Sequence, residues 1–424
     1  MPEPRVVVVG GGVIGLCAGW ELARRGWRVT VLDAGEPGGG ASFGNAGWVV
    51  PALSDPVPAP GVAGASLRWM LRGDSPLRIE PRLDPGFARW LLAFWRRCNG
   101  RDFRAGLAAT AALNRRTFAL YDALVEAGVH FERYQAGLLF AYRDPNALRH
   151  DHRALDLLRP FGLEPPPILS GDAARAREPA LGDAIAGGFH LPDERHLRPD
   201  DLTRALAKRL AANGAAIHPR TPAIGFDADP AAGRVRGVRT PAGTVPADAV
   251  LLAAGAWTPG VARLLDPRIR LPIEAGKGYG LDYAPPPRPV GLPIYLHETR
   301  VAVTPLAGLV RLSGTMEFSG LNARLAPTRI AAIARAGSTA LRDWPADPTR
   351  ATHWTGPRPM TPDGLPAIGL VPGWANLAVA AGHAMLGVTL APATAETVAD
   401  LLTTGEAPPV LRPFDPGRFG RGRR

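Results

Sequence analysis

A glycine turn between two short apolar runs near the start of the chain constrains the fold more than any other feature. Residues 6–9 are all valine, a β-branched run suited to a buried parallel strand. Gly10-Gly11-Gly12-Val13-Ile14-Gly15 follows, and Val13, Ile14, Leu16, Cys17 and Trp20 then recur at helical spacing up to Gly26. Residues 29–32 read as a second strand, closed by Asp33 with Ala34 after it. In this strand–turn–helix–strand unit each glycine has a task. Gly10 permits the tight turn, Gly12 lets backbone approach a diphosphate, and Gly15 lets the helix lie close to the strand. Free amides and the helix dipole at the start of the helix favour negative charge. Asp33, 18 residues after Gly15, stands where an acid binds ribose hydroxyls. The missing arginine after it argues against a 2′-phosphate. The unit predicts a dinucleotide-binding fold.

Two further glycine-rich segments bear on what is bound. Residues 38–47 read G-G-G-A-S-F-G-N-A-G, small residues that suit backbone packed against a flat ring system, with Ser42 and Asn45 as hydrogen-bonding candidates; a flexible glycine loop is the alternative. Near the other end, 376–380 reads as a strand, Gly382-His383-Ala384-Met385-Leu386-Gly387 as a second glycine loop, and 388–402 as a helix. That helix start, aimed at a ring, would stabilise negative charge on it; an ordinary strand-to-helix turn is the plainer reading. Between these, 200–214 reads as a helix, 215–218 as a strand and 234–244 as a hairpin around Pro241-Ala242-Gly243. Residues 249–254 form an apolar strand ending in Ala254-Gly255-Ala256-Trp257, small enough for the chain to graze a nucleotide.

The remaining stretches differ in kind. Residues 66–185 are helix-rich, and 270–320 are strand-rich at 294–296, 301–304 and 310–313. The expected architecture is α/β. A discontinuous Rossmann-type domain takes 1–65, 186–270 and 345–424, interleaved with an α+β substrate domain at 66–185 and 271–344. Residues 51–60 read as an ordered crossover. The net charge of +11 is scattered over the chain apart from the tail 418–424, which is expected to lack fixed structure, so nucleic-acid binding is disfavoured. A solvated arginine-rich surface, attraction of anionic substrates or contact with an anionic membrane all suit that charge. In 87–98 Phe87, Trp90, Leu91, Phe94 and Trp95 share a helical face beside Arg96 and Arg97, which reads as a core-facing helix or a membrane contact. No apolar run is long enough for a spanning helix, no secretory leader is read, and no metal site is expected. The two cysteines, Cys17 and Cys98, fit a reducing cytoplasm better than a disulfide framework.

Taken together, G-G-G-V-I-G at the start, A-S-F-G-N-A-G at 41–47, the helical stretch 68–124, K-G-Y at 277–279, G-T-M-E at 314–317, R-P-M-T-P-D-G-L-P at 358–366 and G-H-x-x-L-G-V-T at 382–389 resemble the D-amino acid oxidase superfamily of FAD-dependent oxidoreductases. Within it they are most similar to the bacterial D-amino acid dehydrogenase small subunits. The resemblance implies a Rossmann-type domain of the GR2/DAO kind holding FAD. It implies that Gly10, Gly12 and Gly15 hold the diphosphate and Asp33 the adenosine ribose, that Val13, Ile14 and Ala34 also bind the cofactor, and that the backbone at Ala223 meets adenine. By the same resemblance Ala41, Ser42, Asn45, Ala46 and Gly47 line the flavin, Ala254, Gly255 and Trp257 pass it, and Gly382, His383, Gly387, Val388 and Thr389 lie near its pyrimidine edge.

The implied chemistry is oxidative deamination of a D-amino acid by hydride transfer from Cα to flavin N5, giving a 2-oxo acid and ammonia, with electrons passed to a quinone or other carrier. Arg358 matches the arginine that anchors the substrate carboxylate; a structural arginine in a proline-rich loop is the alternative. His383 reads as a base, a flavin-edge donor or a backbone-bonded loop histidine, and Asp363 as the holder of the turn at 362–364. The chain departs from the family at Trp48 and at Ala302, where some amino-acid oxidases carry a tyrosine. The carboxylate-binding tyrosine is then Tyr279 or Tyr295. An oxygen-using oxidase or dehydrogenase of secondary amines or glycine is the rival on the same fold. A nicotinamide enzyme and a flavin-bound interaction module stand further off.

Overall fold

The computed structural model describes residues 3–62, 64 and 75–420. Strand β1 (Arg5–Val9), helix α1 (Val13–Arg24) and strand β2 (Arg28–Leu32) follow the glycine-turn pattern directly. Next come α2 (Pro85–Arg97), whose N-cap Asp84 accepts from two backbone amides, α3 (Gly100–Asn114), capped the same way by Asn99, and α4 (Thr117–Glu126). Strands β3 (Leu138–Tyr142) and β4 (Gly187–Leu191) precede α5 (Pro199–Ala212), β5 (Ala216–His218) and β6 (Ala249–Leu252). The last third holds β7 (Glu274–Tyr283), β8 (Ile294–Leu296), β9 (Val301–Leu306), β10 (Leu309–Phe318), α6 (Pro327–Ala340), β11 (Ala351–Met360), β12 (Ala367–Leu370), β13 (Leu377–Ala381) and α7 (Gly387–Thr404).

Two sheets organise these elements. The first runs β5-β2-β1-β6-β13-β12, parallel except for β12 against β13. Its valines and leucines are buried on both faces, as a doubly covered parallel sheet requires. α1, α5 and α7 cover one face, and the hairpin strands Gly225–Asp229 and Arg234–Thr240 pack on the other. The second sheet runs β11-β7-β10-β9-β8-β3-β4, with Leu169–Ser170 beyond β4 and Leu77–Ile79 beside β10. Side chains alternate across it. Tyr279, Leu281, Ile294, Val303 and Leu312 face a core with Ile330 and Ile333 of α6. The registers Tyr295↔Ala302, Ala302↔Ser313, Gly280↔Ser313 and Gly280↔Trp354 put a row of mostly small residues on the opposite face.

The structure corrects several expectations. β3 lies inside the stretch read as helix-rich; all five of its residues are buried, so it has no polar alternation to betray it. β4 and β11, assigned to the dinucleotide segments, pair in the second sheet. Prolines in T-G-P-R-P hid β11, yet as an edge strand it tolerates them. The apolar face of 87–98 splits. Phe87 and Trp90 are buried against Phe318, Met360 and Ala384, whereas Trp95, about 140° further round the helix, is 64% exposed. Arg418, read as part of a loose tail, is ordered and pairs with Asp363 at 2.8 Å; residues 421–424 of that tail lie outside the described residues. Asp363 also accepts from the Leu365 amide at 3.2 Å, as its turn role requires. Cys17 is a buried free thiol.

Glu194, just after β4, offers a test of the packing. Its Oε1 accepts from the Ala52 amide at 3.1 Å, and its buried Oε2 has no hydrogen-bond partner among the described residues. Burial pushes the carboxyl from 4.5 up to about 8. The folded state therefore holds the proton more tightly than the unfolded chain. Its stabilising effect is complete below pH 4.5 and is lost as pH rises through about 8. Glu194→Gln, which keeps the Ala52 contact, is expected to flatten the decline of Tm across that window; melts with an unchanged slope would reject this origin for it.

Candidate cofactor and substrate site

The glycine turn forms a cradle that side chains cannot enter. Gly10 has φ 111°, and a Cβ there would lie 2.5 Å from the Ala253 carbonyl oxygen and 2.8 Å from Ala254 Cα. A Cβ on Gly15 would lie 1.9 Å from the Gly10 carbonyl oxygen, so α1 sits against its own entry turn. The N-cap Gly12 supplies no side-chain cap, so the start of α1 keeps amides open to an anion. Ser42 Oγ accepts from the Val13 amide at 3.0 Å, binding the second glycine segment to the first; Ile14 is half-buried one residue on. Asp33 accepts from the Gly11 and Gly35 amides at 2.7 and 2.8 Å, so the expected ribose acid also shapes the turn. The Thr221 amide donates to the Asp33 carbonyl at 2.6 Å, which brings Ala223 to the Asp33–Ala34 corner. Gly255 has φ 54°, and the half-exposed Trp257 ring lies beside Gly40.

The 41–48 segment lies between that cradle and the second sheet. Its carbonyls are gripped by residues that sequence reading missed. Arg311, 2% exposed on β10, donates to the Phe43 and Asn45 carbonyls at 3.2 and 2.9 Å while forking onto Asp282 of β7 at 2.7 and 2.8 Å. Thr304 of β9 donates to the Ala46 carbonyl and accepts from Trp48 Nε1, each at 2.9 Å. Asn45 turns its Oδ1 back to the Gly47 amide at 2.8 Å. The Trp354 ring lies so close over Gly44 that a Cβ there would meet it at 2.1 Å, and Ala41 lies against Gly356. A lone arginine in the alternation V-R-L-S-G was the signal available, since period two puts it on the face opposite Leu312.

Of the three side chains expected to act on substrate, the structure brings Arg358 and His383 toward these loops and turns Tyr279 away. Arg358 shares the face of Trp354 and Gly356. It lies across Gly278, where a Cβ would meet its Cζ at 2.4 Å. Its hydrogen bonds are to the Thr315 carbonyl at 2.5 Å and a long contact to Met316 Sδ. Burial lowers its pKa to about 10, and among the described residues no carboxylate pairs with it. Tyr279 points to the α6 side of the sheet, buried, and donates to Glu317 Oε2 at 2.9 Å; Glu317 also pairs with the buried Lys277. Strand alternation alone separates it from Arg358. Tyr295 stands on the sheet face of Gly280 and Trp354, edge-on to Trp48, and its hydroxyl accepts from Arg300 at 3.1 Å.

His383 is 3% exposed, with Nε2 3.0 Å from Thr394 Oγ1 of α7, and burial lowers its pKa to about 3. It is therefore a neutral imidazole bonded to a threonine rather than to backbone. Gly382 has φ 85°, and the Ala384 amide donates to the Pro359 carbonyl at 2.9 Å, which ties this loop to the strand of Arg358. Gly387 opens α7 with no atom near its absent Cβ and no side-chain cap. Thr389 Oγ1 accepts from the Val50 amide at 3.1 Å and lies 3.2 Å from the Trp48 carbonyl, while the Val388 carbonyl accepts from Tyr121 at 2.6 Å. The two glycine segments thus meet through α7.

The glycine turn, the glycine-rich 38–47 segment and the uncapped start of α7 are tied to one another through Ser42 and Thr389, an arrangement that suits a dinucleotide carrying a ring system. The family model described as "DAO: FAD dependent oxidoreductase" matches residues 5–401, and the chain belongs to this family. It is an FAD-dependent oxidoreductase. It is 35% identical over 417 residues to a D-amino acid dehydrogenase of Cereibacter sphaeroides, covering 96% of this chain and 93% of that protein. It is 34% identical to one from Rhizorhabdus wittichii, covering 94% and 96%. Among solved structures, glycine oxidase from Geobacillus kaustophilus matches with a TM-score of 0.75 at 25% identity over 100% of both chains. L-proline dehydrogenase from P. horikoshii, at 22% identity, a TM-score of 0.74 and coverage of 100% and 99%, shares the fold.

The clamp on the 41–48 segment gives a prediction. Arg311→Met strands Asp282 and two loop carbonyls, at a cost on the order of 2–3 kcal/mol. FAD affinity measured by fluorescence titration is expected to fall while the fold persists by circular dichroism. Undiminished affinity would show that the loop holds its shape without the arginine.

Proposed function

We propose that the chain oxidises D-amino acids to imino acids, which hydrolyse to 2-oxo acids and ammonia, with the electrons passing to a quinone or other carrier. The observation that carries this reading is Arg358: a charged, largely desolvated guanidinium without a carboxylate partner among the described residues, on a floor of Gly278 and Gly356. A desolvated cation without an anion is costly, and a substrate carboxylate is the matching planar partner for a fork that lysine lacks. The names of the relatives support the D-amino acid. Bound FAD supplies a hydride acceptor at its N5. The chain positions and excludes water. Arg358 fixes the carboxylate and so which hydrogen on Cα faces the ring. Trp48 and Tyr295 wall the sheet face beyond it. The dry surroundings favour the neutral amine, from which hydride departs.

His383, neutral near pH 7, acts in this reading by holding the 382–387 loop and α7 together rather than by moving a proton. The glycine-turn segments and the first sheet form the cofactor domain. The second sheet, with β4 and β11 included, forms the substrate domain. The buried free thiol of Cys17 fits a cytoplasmic site. The likeness to glycine oxidase supports a second reading, an oxygen-using oxidase of glycine or secondary amines.

An anaerobic screen of D- and L-amino acids and N-alkyl glycines for flavin bleaching tests the proposal. D-amino acids alone are expected to bleach it, and turnover in air is expected to yield little peroxide. Bleaching confined to glycine or secondary amines, with stoichiometric peroxide, supports the rival instead. Arg358→Ala is expected to lower kcat/KM by about a hundredfold or more while the protein stays yellow. Normal turnover in that variant would remove its assigned role, and loss of flavin would make the residue structural.

A further inference from the structure

The two sides of α2 differ sharply in what they meet. Its inner side is fully engaged. Phe87 and Trp90 pack on Phe318, Met360 and Ala384, and Trp90 Nε1 donates to the Pro272 and Met360 carbonyls, each at 3.1 Å. The outer side carries Leu92, 43% exposed, and Trp95, 64% exposed, with Leu83 fully exposed just before the helix. Large apolar side chains grouped on one rim are uncommon on a surface that meets only water.

The charge around them is one-sided. Residues 81–105 hold six arginines and two aspartates. Both aspartates are spoken for: Asp84 caps α2 and lies 3.7 Å from Arg82, and Asp102 lies 3.4 Å from Arg97. Arg89, Arg96, Arg101 and Arg104 are exposed and form no ion pair among the described residues. At about 100° per residue, Arg89 and Arg96 flank Leu92 on one side and Trp95 flanks it on the other.

We propose that this face of α2 and the start of α3 dock on an anionic lipid surface. Arg89, Arg96, Arg101 and Arg104 meet headgroup phosphates, and Leu92, Trp95 and Leu83 enter the headgroup–acyl boundary. Indole at that depth keeps its ring apolar and its N–H wet, and unpaired arginines beside it supply the attraction that a short apolar rim lacks. No helix among the described residues is long and apolar enough to cross a membrane, so the contact is peripheral. Because Met360, two residues past Arg358, touches the inner side of the same helix, docking sets the substrate strand about one helix diameter, ~10 Å, from the headgroups. A protein face would be expected to pair its arginines with acids on a partner; here nothing but charge and apolar reach is specified, and lipid suits that.

Sedimentation of the FAD-loaded protein with vesicles tests the proposal. It is expected to pellet with vesicles of phosphatidylglycerol in phosphatidylcholine and to stay in solution with phosphatidylcholine alone. Arg89→Gln/Arg96→Gln and, separately, Leu92→Ser/Trp95→Ser are each expected to weaken binding on the order of tenfold, with flavin spectrum and substrate bleaching unchanged. Failure of the wild-type protein to bind the anionic vesicles, equal binding to both vesicle types, or undiminished binding by both double variants would overturn it. The outcome is independent of the substrate: a protein that binds these vesicles but is not bleached by D-amino acids keeps the docking face and loses the proposed reaction.

Discussion

Everything in the molecule is arranged around backbone that approaches backbone more closely than a side chain allows. The Gly10 carbonyl stands where a Cβ of residue 15 would be, and the Ala253 carbonyl where a Cβ of residue 10 would be. These two contacts fix α1 against β1 and β6 and leave the start of the helix open. Close packing of this sort is not adjustable, because a methyl group has nowhere to go. The position of α1 then sets α7, which packs along it, and α7 in turn carries Thr389 to the Trp48–Val50 backbone. A steric rule applied at the start of the chain thereby reaches its far end.

The second sheet is attached to this frame largely through polar contacts. Arg311, oriented by Asp282, and Thr304 hold the carbonyls of Phe43, Asn45 and Ala46 from one side while Ser42 holds the start of α1 from the other. The 41–48 segment is thus the joint between the sheets as well as the wall proposed for the cofactor. A buried arginine shared between one carboxylate and two carbonyls is directional, so it sets geometry in a way apolar packing does not. Arg358, on the same sheet face, has no such acid among the described residues. The contrast between two arginines on one sheet face, one fully partnered and one not, is what the proposed carboxylate role of Arg358 rests on. The same logic of engaged and unengaged faces applies to α2, whose aromatic inner side is spent on the core beside Met360 while its arginines and Trp95 remain outside.

Much of this was legible in the sequence. The valine run, the glycine spacing and Asp33 specify the βαβ unit because each demand on the backbone admits few residues, and the second glycine loop with its helix is readable for the same reason. Strand β3 was not, since a strand buried on both faces shows no period, and neither was β11, whose prolines mimic a loop although an edge strand accommodates them. Tyr279 was an attractive candidate until register placed it. Its neighbour Gly278 lies under Arg358, but the pleat turns the tyrosine to Glu317 and α6.

The sequence by itself determined the parts governed by local backbone chemistry: the dinucleotide fold, the two glycine loops, the helix starts that favour negative charge, and the family. Tertiary structure alone decided which long-range partners meet: Arg311 with the 43–46 carbonyls, Thr389 with Val50, Arg358 without an acid, and Trp95 outside rather than in. The reason is physical. A turn or a helix start is fixed by a few adjacent residues, whereas strand register and the side of a sheet on which a residue falls depend on pairings made hundreds of positions apart.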